Sequence, residues 1–221
     1  MITLWLMKSK GLKYLILFCA LSAILVDFLD YQLLYSVFKP LTTFLIILLV
    51  VRFRNSNSYS KRILLGLIFC LFGDSFLLFE NYFIFGLASF LIGHLFFLYA
   101  FIKVQGWQWP IKTGGILVMA ALAILTLSYA NLDALLIPVL FYISIIVLMS
   151  WQGIALTQSG VPAYKNLSWA VSLFLLSDGL LALNKFYIPF VFSGIIILST
   201  YWLAIFLLAE TTIEWLIKKP D

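Results

Sequence analysis

The 221-residue sequence has few charged residues and no long polar stretch, and both shortages restrict what the protein can be. Charged residues make up 10% of the chain, whereas a soluble domain usually contains about 25%. Hydrophobic residues reach 64%, and the mean hydropathy is +1.12. The outside of a soluble globule must still carry charge, so soluble enzymes, disordered chains and single-pass anchors with a soluble domain are excluded. The composition predicts a polytopic membrane protein.

Metal ligands and catalytic motifs are also scarce. A single histidine excludes a His-rich intramembrane zinc site of the kind that ceramidase-like hydrolases use. Cys19 and Cys70 both lie within apolar runs, so neither a disulfide nor a metal site is inferred from them. The HExxH, GxSxG and phosphate-loop patterns are absent, and no metal or other cofactor is expected. Despite the net charge of +5, no nucleic-acid partner is expected, because the basic residues lie in short loops where they contact anionic lipid.

Long apolar runs dominate the rest of the sequence. A membrane helix needs about 20 mostly apolar residues, and this length predicts an all-α bundle of eight transmembrane helices. The connections are short, so residues 1–221 are expected to form a single integral membrane domain. The predicted spans are residues 12–29, 33–51, 63–80, 83–102, 114–130, 133–151, 167–184 and 189–210.

The distribution of basic residues predicts the orientation of the bundle. With the N-terminus in the cytoplasm, 12 of the 14 lysines and arginines lie on the inner side, and only Lys39 and Lys185 lie at outer helix ends. This imbalance predicts an even number of spans with both termini cytoplasmic. The inner basic residues are Lys8, Lys10, Lys13, Arg52, Arg54, Lys61, Arg62, Lys103, Lys112, Lys165, Lys218 and Lys219.

A short similarity suggests an internal duplication. The sequence GDSFLL at 73–78 in span three is similar to SDGLLA at 177–182 in span seven, at an offset of 104 residues. Both segments run from the inside outward, which suggests that four helices were duplicated in parallel, without inversion. Because transporters often contain repeats, the duplication does not separate an enzyme from a carrier.

Ionisable residues within the predicted spans are the candidates for function. Each costs at least about 2.5–3.5 kcal/mol on insertion scales and by default points into the bundle. Asp74 lies six residues before the outer end of span three. Asp178 lies seven residues before Lys185, at the outer end of span seven. Both carboxyl groups are therefore about 10 Å below the outer boundary. The candidates are Lys39, Asp74, His94, Asp178 and Lys185.

Helical spacing predicts that these residues share one polar cavity. Lys185 follows Asp178 by seven residues and Asn81 follows Asp74 by seven, so each pair lies on one helix face, two turns apart. If the two faces meet, they enclose a chamber open to the outer leaflet, with acids at its floor and cations at its mouth. Such a chamber suits a phospholipid-like molecule with its phosphate high and its chain low.

These residues resemble the YhhN/TMEM86 family of eight-helix membrane proteins. The most specific similarities are FGDSFLL at 72–78 and LLSDGLLALNKF at 175–186, and Lys39-Pro40, Gly93-His94 and Tyr201 also match. The resemblance covers nearly the whole chain. The eukaryotic members are lysoplasmalogenases. The small size and short loops resemble a bacterial member, which implies the bacterial cytoplasmic (inner) membrane.

The resemblance implies that the chain hydrolyses the vinyl ether bond of a lysoplasmalogen, a lysophospholipid-like substrate from the bilayer. The products would be a fatty aldehyde and a glycerophospho-ethanolamine or -choline. The reaction begins with proton delivery to carbon, which produces an oxocarbenium-like cation that water captures. Two close carboxyl groups in a low-dielectric site cannot both ionise readily. Asp74 and Asp178 with one shared proton could therefore supply both an acid and an anion, and which residue does which is left open.

The remaining polar residues are expected to bind the substrate. Lys39, Lys185 and Asn184 would hold the phosphate, and His94 or Tyr201 would orient a carboxyl group or water.

Other interpretations of the same residues stay open. The aspartates, the histidine and the tyrosine could be purely structural, and the lysines could only extend to the interface. A proton-coupled lipid or solute transporter could use the aspartates as a relay, although broken helices and an inverted repeat would be typical of it. A third alternative is a protein that binds lipid without altering it. The oligomeric state is not predicted.

Overall fold

The structure, a computed structural model, describes residues 2–53 and 57–218. All regular secondary structure in these residues is helical, which confirms the prediction of an all-α bundle. Short 3₁₀ turns occur in several connections. The α-helices are α1 (Ile2–Phe28), α2 (Gln32–Arg52), α3 (Ser58–Phe76), α4 (Phe83–Gln105), α5 (Ile111–Ser128), α6 (Leu136–Gln158), α7 (Leu167–Phe186) and α8 (Ser193–Lys218).

Seven of the described helices are long and apolar enough to cross a membrane. The remaining helix, α3, carries Lys61, Arg62 and Asp74, and it packs between α2 and α4. The chain is therefore a polytopic integral membrane protein. Its orientation stays a prediction, and Arg54 and Lys219, two of the basic residues behind that prediction, lie outside the described residues.

Apolar runs located the helices but not all of their ends. Helix α3 begins five residues before residue 63, the predicted start of span three. It ends four residues before residue 80, the predicted end. It begins early because the Asn57 side chain caps it, accepting a hydrogen bond of 2.8 Å from the backbone N–H of Tyr59. Because the helix ends at Phe76, Asn81 lies beyond it, exposed, in a 3₁₀ turn. The prediction that Asn81 shares a face of this helix with Asp74 is wrong.

The connection between α7 and α8 is longer than predicted. Residues 187–192 form a turn in which the side-chain oxygen of Asn184 accepts a hydrogen bond of 3.2 Å from the backbone N–H of Phe190. Phe192 has φ = 64°, a left-handed conformation that ends the turn. Helix α8 consequently begins at Ser193 rather than at residue 189. This turn lies at the end of the bundle where α1, α3 and α7 end and α2, α4 and α8 begin.

The helix ranges fit the suggested duplication. Shifted by 104 residues, α2 covers residues 136–156, which is nearly the range of α6. Likewise, shifted α3 and α4 overlap most of α7 and α8. The pairs α3–α4 and α7–α8 are also the two most extensively packed in the bundle. The duplication itself stays a prediction.

A close approach of α3 and α4 positions two of the candidate residues. A Cβ atom at Gly66 would overlap the ring of Phe97, which is fully buried. A Cβ atom at Gly93 would lie 3.0 Å from the backbone oxygen of Gly66. Small residues allow the backbones of membrane helices to approach this closely. The contact therefore holds His94, the neighbour of Gly93, against the helix that carries Asp74.

Gly66→Val is expected to destabilise the protein by about 1–3 kcal/mol, because a larger side chain overpacks this contact. Thermal denaturation in detergent should show a Tm below that of the unaltered chain. The matched control is Gly115→Val on α5, where a Cβ atom meets nothing within 4 Å. Equal Tm values for the two variants would contradict the prediction.

Candidate active site

A polar cavity of about 330 Å³ lies in the end of the bundle where α7 and α8 are joined. Residues of α1, α2, α3, α4, α7 and α8 form its walls. Its size is at the lower end of the range for small-molecule sites, which is about 300–1,000 Å³. The predicted site residues that line it are Lys39, Asp74, Asp178, Asn184, Lys185 and Tyr201.

Asp74 on α3 is 1% exposed and accepts hydrogen bonds from two other helices. Oγ1 of Thr43 on α2 donates to its Oδ2 at 2.5 Å, and the hydroxyl of Tyr201 on α8 donates to the same oxygen at 2.8 Å. Nε1 of Trp202 lies 3.3 Å from the Thr43 hydroxyl and donates to it. Within the described part of the chain no donor reaches Oδ1 of Asp74, so that oxygen can bind water or substrate.

Asp178 on α7 has a side chain that is 14% exposed, and side chains from two other helices approach it. The hydroxyl of Tyr142 on α6 donates a short hydrogen bond to its Oδ2. Nε2 of His94 on α4 lies 3.8 Å from the same oxygen. Asp178 is thus approached by two side chains on one oxygen, as Asp74 is, although only Tyr142 lies within hydrogen-bonding distance.

His94 lies behind Asp178 rather than in the polar cavity. Its side chain is fully buried, and its ring packs edge-on against Phe174 with 4.6 Å between the centroids. Neither ring nitrogen has a hydrogen-bond partner among the described residues. A buried polar atom without a partner is uncommon in proteins, and a movement of about 1 Å would bring Nε2 within hydrogen-bonding distance of the Asp178 carboxyl group.

The helices that contact the two aspartates correspond under the 104-residue offset, although the contacting residues do not. Asp74 on α3 is contacted from α2 and α8, and Asp178 on α7 is contacted from the corresponding helices, α6 and α4. The hydrogen-bond donors differ. At an offset of 104 residues, Tyr142 corresponds to a phenylalanine on α2 and Tyr201 corresponds to Phe97, and a phenylalanine side chain cannot donate a hydrogen bond. The arrangement is what a parallel duplication would produce, with the two acids in chemically different surroundings.

Two cationic side chains line the cavity, one of them buried and the other exposed. Lys39 is 7% exposed, its Nζ lies 5.3 Å from the centroid of the Tyr35 ring, and Asp74 and Asp27 are the carboxyl groups that attract it. Lys185 is exposed, and its Nζ lies 5.3 Å from the centroid of a phenylalanine ring on α4. Since Asn184 uses its carbonyl oxygen in the α7–α8 turn, its NH₂ group is the part that can bind a ligand.

Three residues of the site were missed by the sequence analysis. Asp27 on α1 supplies a third carboxyl group to the cavity, although its position inside the predicted span 12–29 was a usable signal. Its carboxyl group lies against Gly194, where a Cβ atom would overlap it. Thr43 and Tyr142 gave no signal, since hydroxyl side chains occur throughout membrane helices.

Comparison with known sequences establishes the relationship of the chain. A sequence model of the YhhN family matches residues 34–212, a range that includes Asp74, Asp178 and both cavity lysines but not Asp27. The chain belongs to the YhhN family. The match confirms the resemblance drawn from FGDSFLL and LLSDGLLALNKF. No solved structure matches the chain.

Curated relatives of this YhhN-family chain carry a functional name. Lysoplasmalogenase TMEM86A from Homo sapiens is 34% identical over 174 residues, which cover 73% of this chain and 69% of the relative. Lysoplasmalogenase TMEM86A from Bos taurus is 31% identical over 170 residues, with the same coverage. Lysoplasmalogenase TMEM86B from Homo sapiens is 30% identical over 169 residues, which cover 75% of this chain and 70% of the relative.

Proposed function

We propose that this chain is a membrane-embedded, lysoplasmalogenase-like hydrolase of a lipid substrate. In this proposal it cleaves the vinyl ether bond of a lysoplasmalogen to a fatty aldehyde and a glycerophospho-ethanolamine or -choline. The observation that carries the proposal is that Asp74 and Asp178 line one polar cavity that also contains Lys39 and Lys185. The names of the relatives support the substrate class and do not favour the transporter alternative.

The proposed reaction uses the two carboxyl groups with one proton between them. The protonated carboxyl group delivers its proton to the vinyl carbon that is not bonded to oxygen, which leaves an oxocarbenium-like cation. The second carboxyl group, as an anion, stabilises this cation and accepts a proton from the attacking water. The resulting hemiacetal collapses to the aldehyde and the free glycerol hydroxyl. In this collapse the second carboxyl group gives its new proton to the glycerol oxygen and the first takes the hydroxyl proton of the hemiacetal, so the pair returns to its starting state.

The surroundings of the acids support a division of roles. Of the two, only Asp178 also borders an apolar slot next to the cavity. We assign proton delivery to Asp178, because the carbon that receives the proton belongs to the hydrocarbon chain. Asp74 accepts two hydroxyl hydrogen bonds in the polar cavity, and we assign to it the stabilisation of the cation and the activation of water. His94 and Tyr201 then orient Asp178 and Asp74, respectively.

The lysines and Asn184 bind the phosphate in this proposal. Ammonium groups form charge-assisted hydrogen bonds with phosphate oxygens, and these are stronger than bonds between neutral groups. Lys39 and Lys185 lie on different helices, α2 and α7, so they can contact the phosphate from two sides.

We further propose that the protein lies in a bacterial cytoplasmic membrane with both termini in the cytoplasm. The distribution of basic residues supports this orientation, in which the polar cavity opens toward the outer leaflet. The main hydrophobic core, which contains residues of α1, α2, α3, α4, α6, α7 and α8, supports a single domain.

The test of this function compares two substrates that differ only in one double bond. The purified protein is given a lysoplasmalogen and, separately, its saturated alkyl-ether analogue with the same head group, and the released aldehyde is measured. Aldehyde is expected from the lysoplasmalogen only, because protonation requires the vinyl carbon. Folded protein that releases no aldehyde from the lysoplasmalogen would contradict the proposal. Solute flux in liposomes without aldehyde would instead support the transporter alternative.

A further inference from the structure

An apolar slot of about 60 Å³ lies beside the polar cavity, between α4, α5, α6 and α7. Asp178 and Tyr142 are the only residues with polar side chains among those that line it. Its lining residues on α7 extend from Leu175 to Phe186, a length of about 16 Å along the helix. This is about half of the 30 Å hydrocarbon thickness of a bilayer, or one leaflet.

The slot and the polar cavity meet at Asp178. Five residues line both spaces, and Asp178 is the ionisable one among them. A larger apolar groove lies between α1 and α8, but none of its lining residues lines the polar cavity. Of these two apolar spaces, only the slot shares lining residues with the candidate active site.

Apolar cavities exclude water and accept apolar guests, so hydrocarbon is the chemically matched occupant of the slot. Resting on the proposed function, we propose that the slot binds the hydrocarbon chain of the substrate while the polar cavity binds its head group. The vinyl ether, at the junction between chain and head group, then lies beside Asp178. Because the slot is small, this binding mode favours single-chain lipids over two-chain lipids.

Gly179 on α7 and Ile124 on α5 pack directly against each other in the wall of the slot. Both residues line the slot, and a Cβ atom at Gly179 would lie 2.6 Å from Cδ1 of Ile124. A side chain at position 179 would therefore narrow the slot without replacing a group that lines the polar cavity. Gly179 is the residue that we infer to govern chain binding.

The first test measures how Gly179→Val changes the selection of substrates. Two vinyl ethers with the same phosphate head group are compared, one with a long alkenyl chain and one with a propenyl group. We expect kcat/KM for the long-chain substrate to fall at least about tenfold relative to the propenyl substrate, since single methyl-sized changes in an apolar pocket have effects of about 10–200-fold. The matched control, Gly115→Val, should leave the ratio unchanged. An unchanged ratio in Gly179→Val would overturn the proposal.

The second test does not depend on catalysis. A saturated alkyl-ether lysophospholipid with a photoreactive diazirine in its chain is bound to the unaltered protein, irradiated, and mapped by peptide mass spectrometry. We expect labelling of slot residues such as Ile143 and Ile124 that an excess of unlabelled analogue prevents and that Gly179→Val weakens. Competable labelling confined to the groove between α1 and α8, or its absence from the slot, would overturn the proposal. Slot labelling without aldehyde release from any vinyl ether would support the chain site and contradict the proposed function.

Discussion

Asp178→Asn and Asp74→Asn should each lower aldehyde release from a lysoplasmalogen by about 10²–10⁴-fold, the range for loss of a general acid or base. Asparagine has the size of aspartic acid and retains an oxygen that accepts hydrogen bonds, so the bonds from Tyr142 and Tyr201 can persist. The amide group can neither deliver the proton nor carry the negative charge. The measurement is kcat/KM for aldehyde release by purified variants.

The control for charge loss alone is Asp133→Asn, an exposed aspartate outside the cavity, which should leave kcat/KM unchanged. The aspartate variants should still bind the alkyl-ether analogue, which separates a chemical defect from loss of fold. The kcat/KM of the double variant should be close to that of the less active single variant, because substitutions of residues that act as a unit do not have additive effects. Substantial turnover in both single variants would exclude the aspartates from the chemistry.

Asp74 and Asp178 could be predicted from the sequence because an ionisable side chain inside a membrane costs free energy. At about 2.5–3.5 kcal/mol or more for each ionisable residue, an aspartate persists inside a span only in a protected place. Equal depth in two corresponding helices then indicated a common cavity, and both Asp74 and Asp178 do line one cavity. The same reasoning identified Lys39, and applied consistently it would have identified Asp27.

The groups that hold these acids could not be predicted in the same way. A hydrogen bond between membrane helices contributes only about 0.6 kcal/mol on average, so a threonine or tyrosine in a span is ordinary. Whether Thr43 reaches Asp74 and Tyr142 reaches Asp178 depends on the rotation and packing of neighbouring helices. The spacing of residues within one helix does not predict either. The error at Asn81 has another cause, since hydropathy marks the apolar run and not the residue at which the helix ends.

The position of His94 shows how packing favours one of the roles expected of a residue. Its depth in α4 made it a candidate for contact with substrate, yet its ring is enclosed by Phe97, Phe174 and Tyr142. Through Nε2 it faces only the Asp178 carboxyl group among the acids of the site. Its proposed role is therefore to position Asp178, and the acids differ in their surroundings even though their helices correspond.

Lys39→Gln should weaken recognition of the phosphate without changing the chemistry of the vinyl ether. Hydrogen bonds to charged groups are worth about 1.5–3 kcal/mol, which corresponds to a loss of roughly 10- to 150-fold in kcat/KM. The substrates are a lysoplasmalogen and the matching 1-alkenylglycerol, which has the same vinyl ether and no phosphate. The loss should appear with the lysoplasmalogen, mainly as a higher KM, and should be nearly absent with the alkenylglycerol.

This comparison separates two effects of one side chain. Lys39 also attracts Asp74 and Asp27 across the cavity, so its removal could disturb the acids rather than phosphate binding. A disturbance of the acids would lower kcat for both substrates equally, whereas loss of phosphate binding affects only the substrate that has a phosphate. Lys112→Gln, at an exposed lysine on α5 outside the cavity, is the matched control and should affect neither. Equal losses with both substrates would show that Lys39 acts on the carboxyl groups and would assign head-group recognition to Lys185 and Asn184.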